Sequence, residues 1–322
     1  MVENAVARAT SGDGVELVLS DPPEDLTVPI SSTASLVQAI LAKRGSGKSY
    51  LAGIFVEELL ACRGRPAVVV FDPTGAWWGL LAEADGRPSV YGTLLLGGSR
   101  GHWSIGSQDG AAIADLASEV RAGSIVVDLS LMAPSEQHEV VADFSERLLA
   151  LSPFPIHVVL DEADEFAPQR LGSVGGQQRR SLGFVERLVM RGRARGIGVT
   201  LISLRPAVLS KNVLSQVDAM FFLRMIDPRD IRAVQAWLAN FEAIGEEQKV
   251  QCLGYLPVLP VGTAYYLCGG EASTFRRFRV RQKRTYDSSR TPGTRSDVVV
   301  LAEPEALINE AARRLLAREV VR

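Results

Sequence analysis

Short apolar runs recur along the chain at residues 67–71, 93–96, 124–129, 156–160, 198–202 and 219–223. Each has the length of a strand and is too short for a buried helix. Between several of them the apolar positions change to helical spacing, at residues 110–122, 136–151, 178–190 and 228–238. Strands alternating with helices predict an α/β fold with a mostly parallel sheet and helices on both faces. Two earlier segments, 15–20 and 35–41, also read as strands. The second runs into a Gly-rich turn and a helix from about Lys48 to Cys62, with Leu51, Phe55, Leu59 and Leu60 on its apolar side. Residues 73–110 are rich in Gly and Trp and read as an insertion on the rim of the sheet.

The C-terminal part changes character. Residues 262–267 and 275–281 read as an antiparallel pair, and 285–297 as a turn-rich stretch. Residues 303–317 place Leu307, Ile308, Ala311, Leu315 and Leu316 on one stripe, as in a docked helix. The expected organisation is an N-terminal extension (1–30), an α/β core (31–270) and a C-terminal unit (271–322).

Composition narrows the function. An apolar fraction of 47% excludes a wholly disordered chain. Lys plus Arg is 35 against 37 for Asp plus Glu, so a generally basic nucleic-acid protein is excluded, while a local basic surface is not. The cysteines (Cys62, Cys252, Cys268) and histidines (His102, His138, His157) are scattered, which argues against disulfides and a zinc site. No apolar run approaches the roughly 20 residues of a membrane span. The first residues lack a basic start and an apolar core. The expectation is a soluble, cytoplasmic protein.

Three motifs carry chemistry. The run Ala42-Lys43-Arg44-Gly45-Ser46-Gly47-Lys48-Ser49 follows a strand and opens a helix, as a phosphate-binding loop must. Gly45 and Gly47 let successive N–H groups turn toward phosphate oxygens, and the helix N-terminus adds favourable partial charge. The expected contacts are Arg44, Gly45, Ser46, Gly47, Lys48, Ser49 and Tyr50. Lys48 would bridge the terminal phosphates of ATP and Ser49 would ligate Mg²⁺. The second motif ends the 156–160 strand with Asp161 and Glu162, for Mg²⁺ and for a general base toward water. The third is an arginine-rich helix end in which Arg187 and Arg191 share a face. They read either as a solvated basic face or as an arginine acting on a neighbour's ATP.

The blocks RGSGKS, VVLDEADEFAPQR and RGRARGIGVTLISLRPAVLSKNVLSQ, with Asp72-Pro73-Thr74-Gly75 and Trp77-Trp78-Gly79-Leu80, resemble the HerA branch of the HerA–FtsK ATPases, closest to its compact bacterial forms. The resemblance spans about residues 30–295. It implies a RecA-like P-loop NTPase core, a homo-hexameric ring, ATP between neighbours and movement along double-stranded DNA as a translocase or helicase. It also implies a nuclease or defence effector as partner. The chain departs from the family pattern in three ways. Only about 30 residues precede the core, where relatives carry a β-barrel. Ala76 stands where an acid is frequent. Leu204 stands where a glutamine would sense the γ-phosphate, with Ser203 and Arg205 as the next candidates.

For DNA, the Gly-rich loop with Arg170, Arg179 and Arg180 is one candidate, and Lys211 with Asn212 a second. A solvated loop is an equal reading of the first. The stretch 276–284 reads first as an edge strand with charged outward residues. Two rival functions remain open: an ATP-gated ring scaffold that activates a partner with slow turnover, and a monomeric P-loop kinase.

Overall fold

The computed structural model describes residues 16–22, 26–29, 34–62, 66–120, 123–151, 153–172, 175–242, 244–269, 274–289 and 299–316. Its strands are β1 (Glu16–Val18), β2 (Thr27–Pro29), β3 (Val37–Leu41), β4 (Ala67–Asp72), β5 (Leu94–Gly97), β6 (Gly123–Asp128), β7 (Ile156–Leu160), β8 (Ile197–Ser203), β9 (Ala219–Phe222), β10 (Thr263–Cys268) and β11 (Thr274–Arg279). Its helices are α1 (Lys48–Ala61), α2 (Gly110–Glu119), α3 (Pro134–Ala150), α4 (Ala163–Phe166), α5 (Gly176–Arg191), α6 (Lys211–Leu214), α7 (Pro228–Leu238), α8 (Glu246–Tyr255) and α9 (Ala306–Leu316).

A nine-stranded sheet runs in the order β11-β10-β9-β3-β8-β7-β4-β6-β5. The strands from β9 to β5 are parallel, and β10 and β11 are antiparallel. Strand β3 lies inside the sheet and is wholly buried, with Gln38 its one polar residue. The pleat sends Ile40, Val68, Val70, Ile202 and Phe221 to one face, where α1 packs through Leu51, Phe55, Leu59 and Leu60. It sends Leu41, Val69, Phe71 and Leu201 to the other, where α2, α3 and α5 pack through Leu116, Phe144 and Leu188. The expected architecture is therefore present: an α/β sheet covered on both faces. No described helix is long and apolar enough to cross a membrane.

The sheet's edges are occupied. Outside β5, the His102 N–H donates to Leu95 O at 2.8 Å and the Gly97 N–H to Trp103 O at 2.8 Å. At the other edge β11 exposes Arg276, Arg277 and Arg279, and the Asp21 N–H donates to Arg279 O.

Several expectations need correction. Helix α8 has almost no apolar stripe, with only Lys249 and Cys252 buried, so periodicity did not mark it. On α9, Leu307 is 85% exposed, whereas Ile308, Ala312 and Leu316 are buried and Ala311 and Leu315 pack partly against the core. The segment after β4 is no rim insertion throughout, because Trp77 in its first turns is buried and reaches Asp161 just after β7. The β1–β2 hairpin packs Leu17, Leu19, Leu26 and Val28 against α1. Expectations for residues 1–15 and 290–298 lie outside the described residues.

His157 is fully buried in β7, with Nδ1 2.9 Å from Ala34 O and Nε2 2.7 Å from Thr200 Oγ1. Burial pushes its pKa from the usual 6.5 down to about 4. The folded state disfavours the extra proton. The stability contributed by neutral His157 is thus present above pH 6.5 and lost as pH falls toward 4. Between pH 7 and pH 5 this group alone should cost about 2 kcal/mol. Urea unfolding at the two pH values should show that loss in the wild type and a smaller one in His157→Gln.

Candidate functional site

The loop at residues 42–47 leaves β3 at the C-terminal edge of the sheet and enters α1. It is anchored by its neighbours: the Ala42 N–H donates to Ser203 O at 3.2 Å, the Lys43 N–H to Arg224 O at 2.8 Å, and Ser46 Oγ to Arg224 O at 3.1 Å. Gly45 (φ +76°) and Gly47 (φ +95°) take left-handed conformations that favour glycine. A Cβ on Gly45 would meet no atom within 4 Å, and one on Gly47 only Leu223 at 3.8 Å. The glycines are there for backbone shape, and the loop leaves open space of the kind phosphates occupy.

Beneath the loop, Lys48 Nζ lies 3.1 Å from Asp161 Oδ1 and 3.0 Å from Glu162 Oε1. Ser49 Oγ donates to Asp161 Oδ2 at 3.4 Å. The Lys48 side chain is 11% exposed and that of Asp161 2%. Burial disfavours the Lys48 ammonium, but Asp161 and Glu162 outweigh it and hold its pKa above the usual value. Burial raises the pKa of Glu162, against the opposing pull of Lys48. That is the direction a proton-accepting carboxylate needs. Among the described residues Glu162 is the single non-glycine with positive φ (46°). Its N–H donates to Asp161 Oδ1 at 2.9 Å, and it caps α4. Such a conformation costs on the order of 1 kcal/mol and typically marks a functional position.

The donor set suits a Mg²⁺ ion. Asp161 and Ser49 present hard oxygen atoms, and Lys48, Asp161 and Glu162 together carry one uncompensated negative charge. Mg²⁺ is commonly held by one or two protein oxygens plus phosphates and water. Among the described residues no cluster of three His, Cys, Asp or Glu offers a metal site of another kind.

Other candidates are placed differently. Arg187 and Arg191 are exposed on α5, across the sheet from α1, and Arg187 lies over the Phe184 ring at 5.0 Å. No described hydrogen bond or ion pair carries either to Lys48, Asp161 or Glu162. Arg44 is exposed on the loop, whereas the Tyr50 hydroxyl accepts the Lys283 N–H at 2.9 Å. Arg170 and Lys211 line a cleft of about 400 Å³ with Arg205, Arg229, Asp227 and Asp230. Arg179 is exposed. Arg180 leaves the DNA set, because Asp143 and Glu146 of α3 already neutralise it. Asn212 is held by Glu186 at 3.0 Å. Leu204 makes no polar contact, but Ser203 Oγ beside it donates to Asp164 Oδ1 at 2.7 Å. The polar group at the end of β8 is therefore Ser203.

The sequence reading missed Trp77, whose indole Nε1–H donates to Asp161 Oδ2 at 2.8 Å. It also missed Arg224, whose Nε is buried beside the loop with no hydrogen-bond partner among the described residues. The Trp-Trp pair so near an Asp-Pro-Thr-Gly turn was the available signal for Trp77. Nothing local marked Arg224.

Residues 24–95 match the family described as the central domain of helicase HerA. The DNA double-strand break repair helicase HerA of Pyrococcus furiosus is 33% identical over 95 residues, covering 30% of this chain and 16% of that protein. The protein of the same name from Saccharolobus solfataricus is 27% identical over 128 residues, covering 36% of this chain and 24% of that protein. The matches thus span well under two thirds of these relatives. The bacterial conjugative coupling protein TrwB superposes with a TM-score of 0.56 at 12% identity, over 90% of this chain and 93% of that one. The genome packaging NTPase B204 of Sulfolobus turreted icosahedral virus 2 gives 0.50 at 13% identity, over 78% and 99%. At such identities the likeness is one of fold. The chain is HerA-like, with the fold of P-loop NTPases.

Lys48→Ala removes the cation under the loop. The folded variant, checked by circular dichroism, should lose tight ATP binding in calorimetry. Wild-type affinity in that variant would remove the phosphate-loop assignment.

Proposed function

We propose that this HerA-like chain is the ATP-hydrolysing subunit of a ring motor that moves along double-stranded DNA. The observation that supports it most is the buried Lys48 held between Asp161 and Glu162 beneath an open glycine loop. In this reading the loop N–H groups and Lys48 bind the β- and γ-phosphates. Ser49 and Asp161 hold Mg²⁺, which when bound neutralises charge developing on the phosphates. Glu162, with its raised pKa, accepts a proton from the attacking water. Ser203, tied to Asp164, sits where loss of the γ-phosphate is felt.

The exposed placement of Arg187, with Arg191 one turn on, suits an arginine that completes a neighbour's site and not its own. That requires a neighbouring subunit, which this proposal places in a closed homo-hexameric ring. Arg170, Arg179 and Lys211 supply positive charge at the C-terminal edge for phosphates of the DNA backbone, without reading its sequence.

Glu162→Gln should keep ATP and lose hydrolysis by about 100-fold or more. Turnover near the wild-type level would assign the base elsewhere. Mixing Arg187→Ala with Lys48→Ala subunits should restore activity at mixed interfaces. Normal hydrolysis by Arg187→Ala alone would reject that arginine. ATPase rates with and without duplex DNA, alongside native mass in the same buffer, test the motor as a whole. Stimulated turnover by a hexamer is expected. DNA-independent, slow turnover by a ring would favour a scaffold that activates a nuclease or defence effector.

A further inference from the structure

The turn after β4 is built by one buried carboxylate. Asp72 Oδ1 accepts from the Thr74 N–H at 3.0 Å, Thr74 Oγ1 at 3.0 Å and the Gly75 N–H at 2.9 Å, and its Oδ2 accepts from the Trp77 N–H at 2.8 Å. These bonds fix the backbone at Trp77 and aim its ring inward, where it is 4% exposed. Its indole N–H then ends on Asp161 Oδ2.

The donors around Asp161 divide into two kinds. Lys48 Nζ and Ser49 Oγ are the groups that the proposed function assigns to nucleotide and metal. The Glu162 N–H on Oδ1 and the Trp77 Nε1–H on Oδ2 are not. Once Lys48 and Ser49 engage a ligand, each carboxylate oxygen keeps one fixed donor. Trp77 is then what orients Oδ2.

Trp77 is itself braced from far along the chain. The C-terminal residues 284–288 run past it. Ser288 Oγ accepts from the Gly79 N–H at 3.0 Å and donates to Ala76 O at 2.6 Å, so a single hydroxyl clamps both sides of the Trp77-Trp78 pair. Tyr286 stacks on Trp78 with centroids 5.4 Å apart. The fit leaves no slack, because a Cβ on Gly79 would stand 2.2 Å from Tyr286 O. The same segment is tied to α1, where the Thr285 N–H and Oγ1 donate to Glu57 Oε1 at 2.8 and 2.7 Å.

We infer that Trp77 is the positioning residue for the Asp161 carboxylate, and that the C-terminal segment sets the position of Trp77 through Ser288 and Tyr286. The inference rests on the reading of Asp161 as the acid that holds Mg²⁺. It gives the Trp-Trp motif a task at the site and makes metal binding responsive to anything that draws on residues 284–288.

The test uses the full chain. With ¹⁵N-labelled tryptophan, the indole resonance that disappears in Trp77→Phe belongs to Trp77. It should shift in Asp161→Asn and in Ser288→Ala. Binding of Mn²⁺ to the ATP complex, read by electron paramagnetic resonance, should weaken in Trp77→Phe by about 10- to 100-fold, as for loss of an outer-sphere partner. That loss should exceed any loss of metal-free ATP affinity by about 10-fold. Ser288→Ala should weaken Mn²⁺ binding in the same direction by a smaller factor. Mn²⁺ affinity in Trp77→Phe equal to wild type, or weakened only in parallel with ATP, overturns the role of Trp77. An unmoved indole resonance and unchanged metal affinity in Ser288→Ala overturn the role of the C-terminal segment. A wild-type chain that binds no metal–nucleotide at all overturns the site reading itself, a result distinct from both.

Discussion

One ammonium group holds the site together. Lys48 begins α1, which follows β3, while Asp161 and Glu162 end β7, and β8 lies between those strands. Two strand spacings separate them, roughly 10 Å. The long Lys48 side chain crosses that gap over the end of β8 to reach both acids, while Ser49 Oγ meets Asp161 at 3.4 Å. Buried carboxylates without a counter-charge would be costly, and a buried ammonium equally so. Each therefore requires the other until a ligand takes over. The small Ser203 at the end of β8, turned aside to Asp164, leaves the crossing free. The parallel register, with Leu41 opposite Ser203 and Leu160 opposite Leu201, brings these strand ends to one edge.

A second charged cluster fastens the C-terminal segment to α1. Glu57 is fully buried, and Arg281 Nη2 reaches both Glu57 Oε2 at 2.9 Å and Glu58 Oε1 at 2.8 Å. The Arg284 and Thr285 N–H groups also donate to Glu57, and the Val18 N–H to Glu58. Such a network adds little net stability over an apolar replacement, but with partners missing it is strongly unfavourable. It therefore specifies one docking register for the segment and for the β1–β2 hairpin.

The sequence made legible whatever is local. The apolar runs marked the strands, the glycine loop between strand and helix marked Lys48 and Ser49, and the acids that end the 156–160 run marked Asp161 and Glu162, because each motif lies within a few residues. What escaped depends on partners far apart. Trp77 meets Asp161 across 84 positions and Arg281 meets Glu57 across 224, so neither spacing repeats in the chain. The Tyr50 hydroxyl, too, meets a distant partner, accepting the Lys283 N–H. Arg180 looked free only because Asp143 and Glu146 sit on a different helix. Leu307 fell on the wrong side because α9 docks through the Ile308, Ala312 and Leu316 row.

The occupied sheet edges bear on how copies of this chain meet. A strand with unpaired backbone invites a partner strand, which would fuse two subunits into a continuous ribbon of fixed geometry. Here residues 102–103 fill the β5 edge, and arginines guard β11. In the proposed ring, contacts between copies would then fall to side chains of helices and loops, which can slide and re-form. A joint of that kind would let neighbouring subunits of such a ring rock relative to one another without breaking a backbone ladder.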